Sequence, residues 1–567
     1  MIKNINLHKD ALKIFFYTIE RKSLVYIFLF QIFTISVLDM FSLGLLFPYL
    51  QFIAKDTESF ASLNSIHAQD LNKVTFFCFL AISSAFILRF LLTKRVVRFA
   101  YTQEKHLSDF VIASVLNFPL EKFAELKDAN IYRLVATEIP QAVNAYFVGL
   151  VYMSSGALSA LLIVLLMLAV NPSLALYSMV VLAGFYLLIY LIVAKKLDKL
   201  GIQRLQLNER KFNMFSASLT AYKDIRIGRT RPKIISEYKQ TSSAYAEVHS
   251  SIQFAAVSPK YLVEFMLSIV ILGASYSYAN GFDGPINLTD LMCFAVAGSR
   301  LLPIMQIIYA RLAAVKYSLP TVINVKNQLD DFMGYNKEIE VNRAISSTIS
   351  RREPKVKSIE IEGIRFNYLK SDTEICFSNH AFKIGSVNLV TGKTGAGKTT
   401  LLNIIAGLLP ANGGNVKVNG EVSELYENDE WFSRISYVDQ FPYLVEGSIK
   451  ENIFQDVHEV TREDFLNIAK RVGLSKTLQE ESRVAEGGKN LSGGQRQKVA
   501  FARAVVNEKD VCIFDEITSG IDQNSRLLIA NVMEELAKKR LVIVVTHDKF
   551  LMDTFPNQIF NVSDRRE

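Results

Sequence analysis

Apolar residues run through the first 316 positions in six blocks, near 24–50, 74–93, 146–170, 173–194, 257–279 and 290–311. Each is close to the roughly 20 residues that a helix needs to cross a hydrocarbon core of about 30 Å. Only Asn171-Pro172 separates the third block from the fourth, so this pair is expected to form a tight helical hairpin. The segments between other blocks keep helical spacing, with Phe110, Ile112, Val115 and Leu116 followed by Ile131, Leu134 and Val135. They read as spans prolonged into stalks, which about 24 residues each way would carry roughly 35 Å from the membrane. The stalk turns are expected near Pro119 to Glu125 and Ala217 to Lys223.

The pattern changes after residue 330. Residues 331–355 are polar and charged, as suits a linker, with Ser346-Ser347-Thr348 and Arg351 to Pro354. From 356 to 567 short β-branched runs (Ser386 to Thr391, Val511 to Phe514, Leu541 to Thr546) alternate with helical stretches, the mark of an α/β domain. The expected fold class is an α-helical membrane domain, residues 1–330, with six transmembrane helices and cytoplasmic helical stalks, followed by an α/β P-loop domain.

Composition supports this division. Half of the residues (50%) are hydrophobic, and 63 Lys and Arg against 55 Asp and Glu leave a net charge of only +8, without long basic blocks. A nucleic-acid partner is not indicated. Lys94, Arg95, Arg98, Lys195, Lys196, Lys199, Arg204, Arg210 and Lys211 concentrate in the two long connections, whereas the intervening loops hold little beyond Lys55 and Lys73. The positive-inside rule then places the long connections and both ends in the cytoplasm. The polar Met1 to Lys22 does not resemble a signal peptide, so the first span is expected to be retained. The four cysteines, Cys78, Cys293, Cys376 and Cys512, are too far apart in sequence for a CxxC metal site and suggest no disulfide framework.

Candidate chemistry lies in the second half. Gly392-Lys393-Thr394-Gly395-Ala396-Gly397-Lys398-Thr399 fits GxxxxGK[ST], between the strand-like Val387 to Val390 and an apolar helix from Thr400. Small residues let backbone N–H groups converge on phosphates at a helix N-terminus, Lys398 can reach the β/γ-phosphates, and the Thr399 hydroxyl can ligate Mg²⁺. Val511 to Glu516 is an apolar strand ending in two carboxylates. Asp515 is placed to hold Mg²⁺ and Glu516 to polarise the attacking water.

Leu491-Ser492-Gly493-Gly494-Gln495 resembles the signature of ATP-binding-cassette ATPases, and the likeness extends over 359–550. By this resemblance Tyr368 stacks on adenine, Gln440 is the Q-loop glutamine and a Mg²⁺ contact, Asp522 is the D-loop aspartate, and His547 senses the γ-phosphate. It also implies ATP and Mg²⁺ as cofactors. The expected ATP-binding set is Tyr368, Gly392 to Thr400, Gln440, Ser492, Gly493, Gly494, Gln495 and Asp522, with Glu516, His547, Gln440 and Lys398 catalytic. Ser519-Gly520-Ile521-Asp522 replaces the commoner Ser-Ala-Leu-Asp.

One P-loop and one signature per chain imply a homodimer with two ATP sites, a heterodimer being the alternative. Six spans before one cassette resemble exporter-type half-transporters of a bacterial inner membrane, with the cassette cytoplasmic. No Cys-protease segment precedes the spans, against the bacteriocin-processing branch. A looser resemblance links Gly44 to Pro48, Val257 to Glu264, Ser299 to Pro303 with Tyr309 and Tyr317, and the outer stretch Gln51 to Lys73 to flippases of lipid-linked oligosaccharides. Arg300 in the sixth span, with Lys260 and Arg89, forms the candidate contact set for an anionic, lipid-linked cargo. Lys260 also has Glu264 at i+4, and Asp39 or Glu264 is the candidate counter-charge for Arg300. Export of another lipid, peptide or drug, a nucleotide-gated channel and a non-transporting regulator are the rival expectations.

Overall fold

The computed structural model describes residues 30–38, 40–42, 45, 68–126, 128–170, 172–279, 288–347, 355–368, 374–455, 460–474 and 479–562. The chain divides into two compact units, Met1–Leu116 with Leu126–Met333, and Asn117–Glu125 with Gly334–Glu567.

The first unit is helical. Its long elements are α1 (Ala68–Leu116), α3 (Val148–Val170), α4 (Pro172–Thr220), α6 (Arg231–Ala279) and α7 (Leu288–Ser347) as far as Met333, with the short helix α5 (Tyr222–Ile227) at one stalk turn; α2 (Leu120–Glu125), at the other, belongs to the second unit. Among the described residues, Thr75–Leu116 and Ala129–Leu168 are long and apolar enough to cross a membrane. The first apolar block is described only in part, as helix around Phe30–Ser42, and Asp39, Gly44, Phe47, Pro48 and residues 51–67 of the stretch Gln51 to Lys73 lie outside the described residues. Close helix packing needs small residues here: a Cβ on Gly201 would stand 2.4 Å from the Tyr317 carbonyl oxygen.

Two boundaries differ from the sequence expectation. Helix α7 runs on to Ser347, over much of the segment read as a linker. Beyond Gly334 that stretch has no glycine and no proline, and its Glu, Lys, Arg and Ala residues suit a helix even where they are polar. The second stalk turn comes later than Ala217, because α4 continues to Thr220 and α5 ends at Ile227, capped by Gly228 just before Arg229 with its left-handed φ of 56°. The first turn lies where expected, with α2 following Pro119.

A buried polar knot ties three segments of this unit. Arg133 approaches Glu138 at 3.1 Å, an ion pair whose angle makes no hydrogen bond, and Glu209 on α4 at 3.2 Å. Asn324 on α7 donates to Glu138 Oε2 at 2.8 Å. With Glu138 only 1% exposed, losing this donor leaves a carboxylate oxygen unpaired away from water. Asn324→Ala is expected to lower stability by about 1.5–3 kcal/mol, read as a lower melting temperature of the full chain in detergent.

The second unit carries strands β1 (Ser358–Asn367), β2 (Glu374–Cys376), β3 (His380–Lys383), β4 (Val387–Thr391), β5 (Gly413–Val418), β6 (Glu421–Val422), β7 (Ile435–Val438), β8 (Gly447–Ser448), β9 (Arg483–Val484), β10 (Val511–Asp515), β11 (Leu541–Val545) and β12 (Ile559–Asn561). β1 pairs antiparallel with β2, β3 and β5, and β5 with β6, making one sheet. A second, parallel sheet has the order β12-β4-β11-β10-β7. β4, β10 and β11 are buried along their whole length, which is why they read as continuous apolar runs. One apolar core lies around Val387, Leu389, Phe501, Phe514 and Ile529, and another around Phe366, Leu401, Ile405 and Ile513. Leu120 of α2 packs on the latter. Beside it Phe118 meets the Tyr335 ring edge-on at 5.4 Å, and Lys122 Nζ stands 4.8 Å from that ring's centre.

Candidate functional site

Parallel strands deliver their following loops to one edge, the usual place for a ligand in a wound α/β sheet. Here that edge gathers the P-loop after β4, Asp439 and Gln440 after β7, Asp515 and Glu516 at the end of β10, and His547 just beyond β11. The sheet register holds them: Glu516 N–H donates to Val545 O at 3.0 Å, and Thr546 N–H to Val390 O at 3.2 Å.

The P-loop leads into α8 (Lys398–Ile405) through Gly397, whose φ of 94° suits glycine; a Cβ there would also press Ile375 Cγ2 at 2.9 Å. Lys398 Nζ donates to the carbonyls of Gly392 (3.0 Å) and Lys393 (3.1 Å), folding its ammonium back over the loop. Burial pulls the Lys398 pKa below its ordinary value, opposed by the negative charges of Glu516 and Asp515. Thr399 Oγ1 donates to Asp515 Oδ2 at 3.0 Å. Burial raises the Asp515 pKa, against the lowering effect of the Thr399 hydrogen bond. These hard oxygen donors beside a phosphate-binding loop fit Mg²⁺, which takes a few protein oxygens together with phosphate and water. The whole arrangement fits ATP with Mg²⁺.

Glu516 has a left-handed backbone, φ 49°, uncommon for a residue with a side chain. Its Oε2 accepts from Gln440 Nε2 at 2.8 Å, and its Oε1 lies 3.6 Å from His547 Nε2. A carboxylate so held, 25% exposed, can take a proton from water at the loop. Tyr368 leaves the end of β1 44% exposed, its hydroxyl 2.9 Å from Thr400 Oγ1 and its ring perpendicular to that of the buried Phe366. An exposed aromatic thus stands beside the P-loop helix.

Ser492 caps α9 (Gly493–Val506) in a capping box: Gln495 N–H donates to Ser492 Oγ at 3.2 Å and Ser492 N–H to Gln495 Oε1 at 2.9 Å. The Gln495 side chain is thus turned back onto the cap. A Cβ on Gly494 would come within 2.9 Å of Gly520 O, so the signature helix and the D-loop are in close touch. Asp522 caps α10 (Gln523–Ala537) and accepts from Lys498 Nζ at 2.9 Å. Hydrogen bonds from Lys498 and Ser525 hold its carboxyl well below the usual carboxylate range.

Sequence motifs did not single out Gln497 or Lys498. Gln497 is 4% exposed and donates to Ser519 Oγ at 3.1 Å. It stands four residues before the fully buried Phe501, so helical spacing puts it on the inward face of α9. Of the membrane residues singled out, Lys260 is exposed and 3.9 Å from Glu264, and Arg89 is exposed on α1. Arg300 lies on α7, with its side chain outside the described residues.

Residues 378–519 match the family model described as ABC transporter. The glutathione/L-cysteine transport system ATP-binding/permease protein CydC of Bacillus subtilis is 31% identical over 194 residues, 33% of this chain and 33% of that protein. The lactococcin-G-processing and transport ATP-binding protein LagD of Lactococcus lactis is 26% identical over 457 residues, 76% of this chain and 61% of that protein. The chain thus spans about a third of the length of the first relative and about three-fifths of the second. A bacterial Atm1-family ABC exporter, solved with ATP bound, superposes with a TM-score of 0.72 at 16% identity, over 96% of this chain and 94% of that one. The chain has that exporter fold: a helical N-terminal membrane domain followed by an ABC-type α/β domain.

Proposed function

We propose that the protein is an ATP-hydrolysis-driven membrane transporter, a half-transporter that works as a dimer, with its cassette in the cytoplasm and its helical domain in a bacterial inner membrane. The observation that carries this reading is Glu516, held between Gln440 and His547 beside a P-loop, in a chain whose other half is long apolar helices.

In this reading the P-loop and Lys398 hold the β/γ-phosphates, Tyr368 stacks on the base, and Thr399 and Asp515, with Gln440, hold Mg²⁺, which neutralises phosphate charge when bound. Glu516 accepts the proton of the water that attacks the terminal phosphorus, as the bond to the ADP oxygen breaks. Ser492, Gly493, Gly494 and Gln495 close over the nucleotide of the second copy, and Asp522 faces it across the joint. Two copies give two sites, and a homodimer is the simplest assembly. The reading is tested by ATP turnover and transport with the full chain in proteoliposomes; a pure dimer that splits no ATP would sink it.

For cargo, the proposal is a lipid-linked pyrophosphate oligosaccharide, flipped to the outer leaflet. Arg300, Lys260 and Arg89 supply cations along the membrane helices, where a charge at a helix centre costs about 2.5–3.5 kcal/mol on insertion scales. A polyprenyl tail loses roughly 0.8 kcal/mol per CH₂ on leaving the bilayer, so the tail stays in lipid while the headgroup crosses along protein. Arg300→Ala is expected to lower flipping several-fold while basal ATPase persists. Unchanged flipping in vesicles would remove Arg300 from the cargo set. Peptide export is the second reading, favoured by the similarity to a lactococcin transporter over 76% of this chain. Transport of a labelled peptide, with no flipping of the lipid-linked sugar, would select it.

A further inference from the structure

The helix that begins at the signature reaches the backbone of Glu516, the hydrolytic residue, through the buried amide of Gln497. Gln497 Nε2 lies 3.1 Å from Ser519 Oγ and 3.4 Å from both the Glu516 and the Gln440 carbonyl oxygens. Two loops meet there: the one after β7, through Gln440, and the one after β10, through Glu516 at its start and Ser519 at the D-loop. Gln497 Oε1 has no hydrogen-bond partner, so the side chain is held by its donor end alone. Packing by itself would not select a glutamine there, because methionine fills similar space without a buried unpaired acceptor. One residue on, Lys498 Nζ reaches Gly473 O (3.0 Å), Asp522 Oδ1 (2.9 Å) and Ser525 Oγ (2.6 Å), a second tie from the same turn of α9 to the D-loop.

Glu516 supplies the reason for such a tie. Its left-handed backbone is costly for a residue with a Cβ and persists only where its surroundings fix it. Its side chain is fixed by Gln440 and its N–H by Val545; its carbonyl faces Gln497.

We propose that Gln497 is a positioning residue for hydrolysis. Its amide sets the backbone of Glu516 and Ser519 from the signature helix, so that a nucleotide seated on the N-terminus of that helix is felt at the hydrolytic carboxylate of the same chain. This rests on the ATPase reading above, in which that N-terminus serves the second copy's nucleotide. One side chain then joins the two sites of the dimer.

The test is made on the full chain in proteoliposomes, with ATP turnover and equilibrium binding of a fluorescent ATP analogue measured together. Gln497→Met is expected to lower kcat about tenfold, the rate equivalent of one hydrogen bond, with nucleotide affinity and melting temperature close to the parent's. Ser519→Ala removes the same contact from the other side and should give a similar fall. The double variant should lose little more than either single one, as for two groups acting through one contact. A Gln497→Met protein with parental kcat, or fully additive losses, overturns the proposal. If Gln497→Met does not fold, Ser519→Ala decides alone: a lowered kcat at parental affinity supports it, and a parental kcat overturns it. A parent chain that binds the analogue yet splits no ATP overturns the ATPase reading first, a failure that differs from an active parent with an indifferent Gln497.

Discussion

Glu516→Gln is expected to cut ATP turnover by roughly 100- to 10,000-fold, the usual worth of a positioned general base, while nucleotide still binds. Glutamine has nearly the same shape, so the strained turn after β10, the N–H bond to the Val545 carbonyl and the bond from Gln440 have no steric reason to fail. The amide cannot accept a proton at neutral pH, and the approach of His547 Nε2 to Oε1 at 3.6 Å would no longer be to a carboxylate. Phosphate release under saturating ATP measures the effect, and gel filtration with ATP should show cassettes held closed. Turnover equal to the parent's would dismiss Glu516 as the base and leave Asp515, whose pKa burial raises, as the carboxylate to examine.

Lys398→Ala strikes one step earlier, at binding. The ammonium is 7% exposed and rests on two carbonyls of its own loop, poised to exchange them for phosphate oxygens. Truncating one partner of a buried, hydrogen-bonded charge pair costs about 2–5 kcal/mol, or roughly 30- to 5,000-fold in Kd. Titration with a fluorescent ATP analogue reads this directly. Lys398→Arg should not restore binding, because a planar fork does not fit where a compact ammonium turns back over Gly392 and Lys393. Affinity within a few-fold of the parent's in the alanine variant would mean that the P-loop backbone carries the phosphates by itself.

The phosphate site was legible because its chemistry is local in sequence. GxxxxGK[ST] is a strand-to-helix turn that places its own donors, and Asp515 and Glu516 follow directly on the apolar run of β10. Gln440 and His547 come together with Glu516 only through the order β11-β10-β7, a long-range fact that the family resemblance supplied and spacing could not. Gln497 escaped because motif reading follows residue types, and a glutamine on a helix ordinarily faces water. Its position four residues before Phe501 was the available signal. Residues 331–347 read as linker because they are polar, yet helices tolerate polar residues all round when little interrupts them. At the membrane helices the pattern gave apolar runs that the structure shows as long helices, but such runs carry no information on which cation faces cargo.

The grouping of Asn117–Glu125 with Gly334–Glu567 has a practical consequence for anyone cutting the gene. A soluble fragment started at the end of the last long helix would lack the nine residues that supply Leu120, and would leave an oily notch open on the core that contains Phe366 and Leu401. The piece that closes the notch is threaded in from far upstream, so the catalytic lobe is finished only by a loan from the greasy half of the polypeptide.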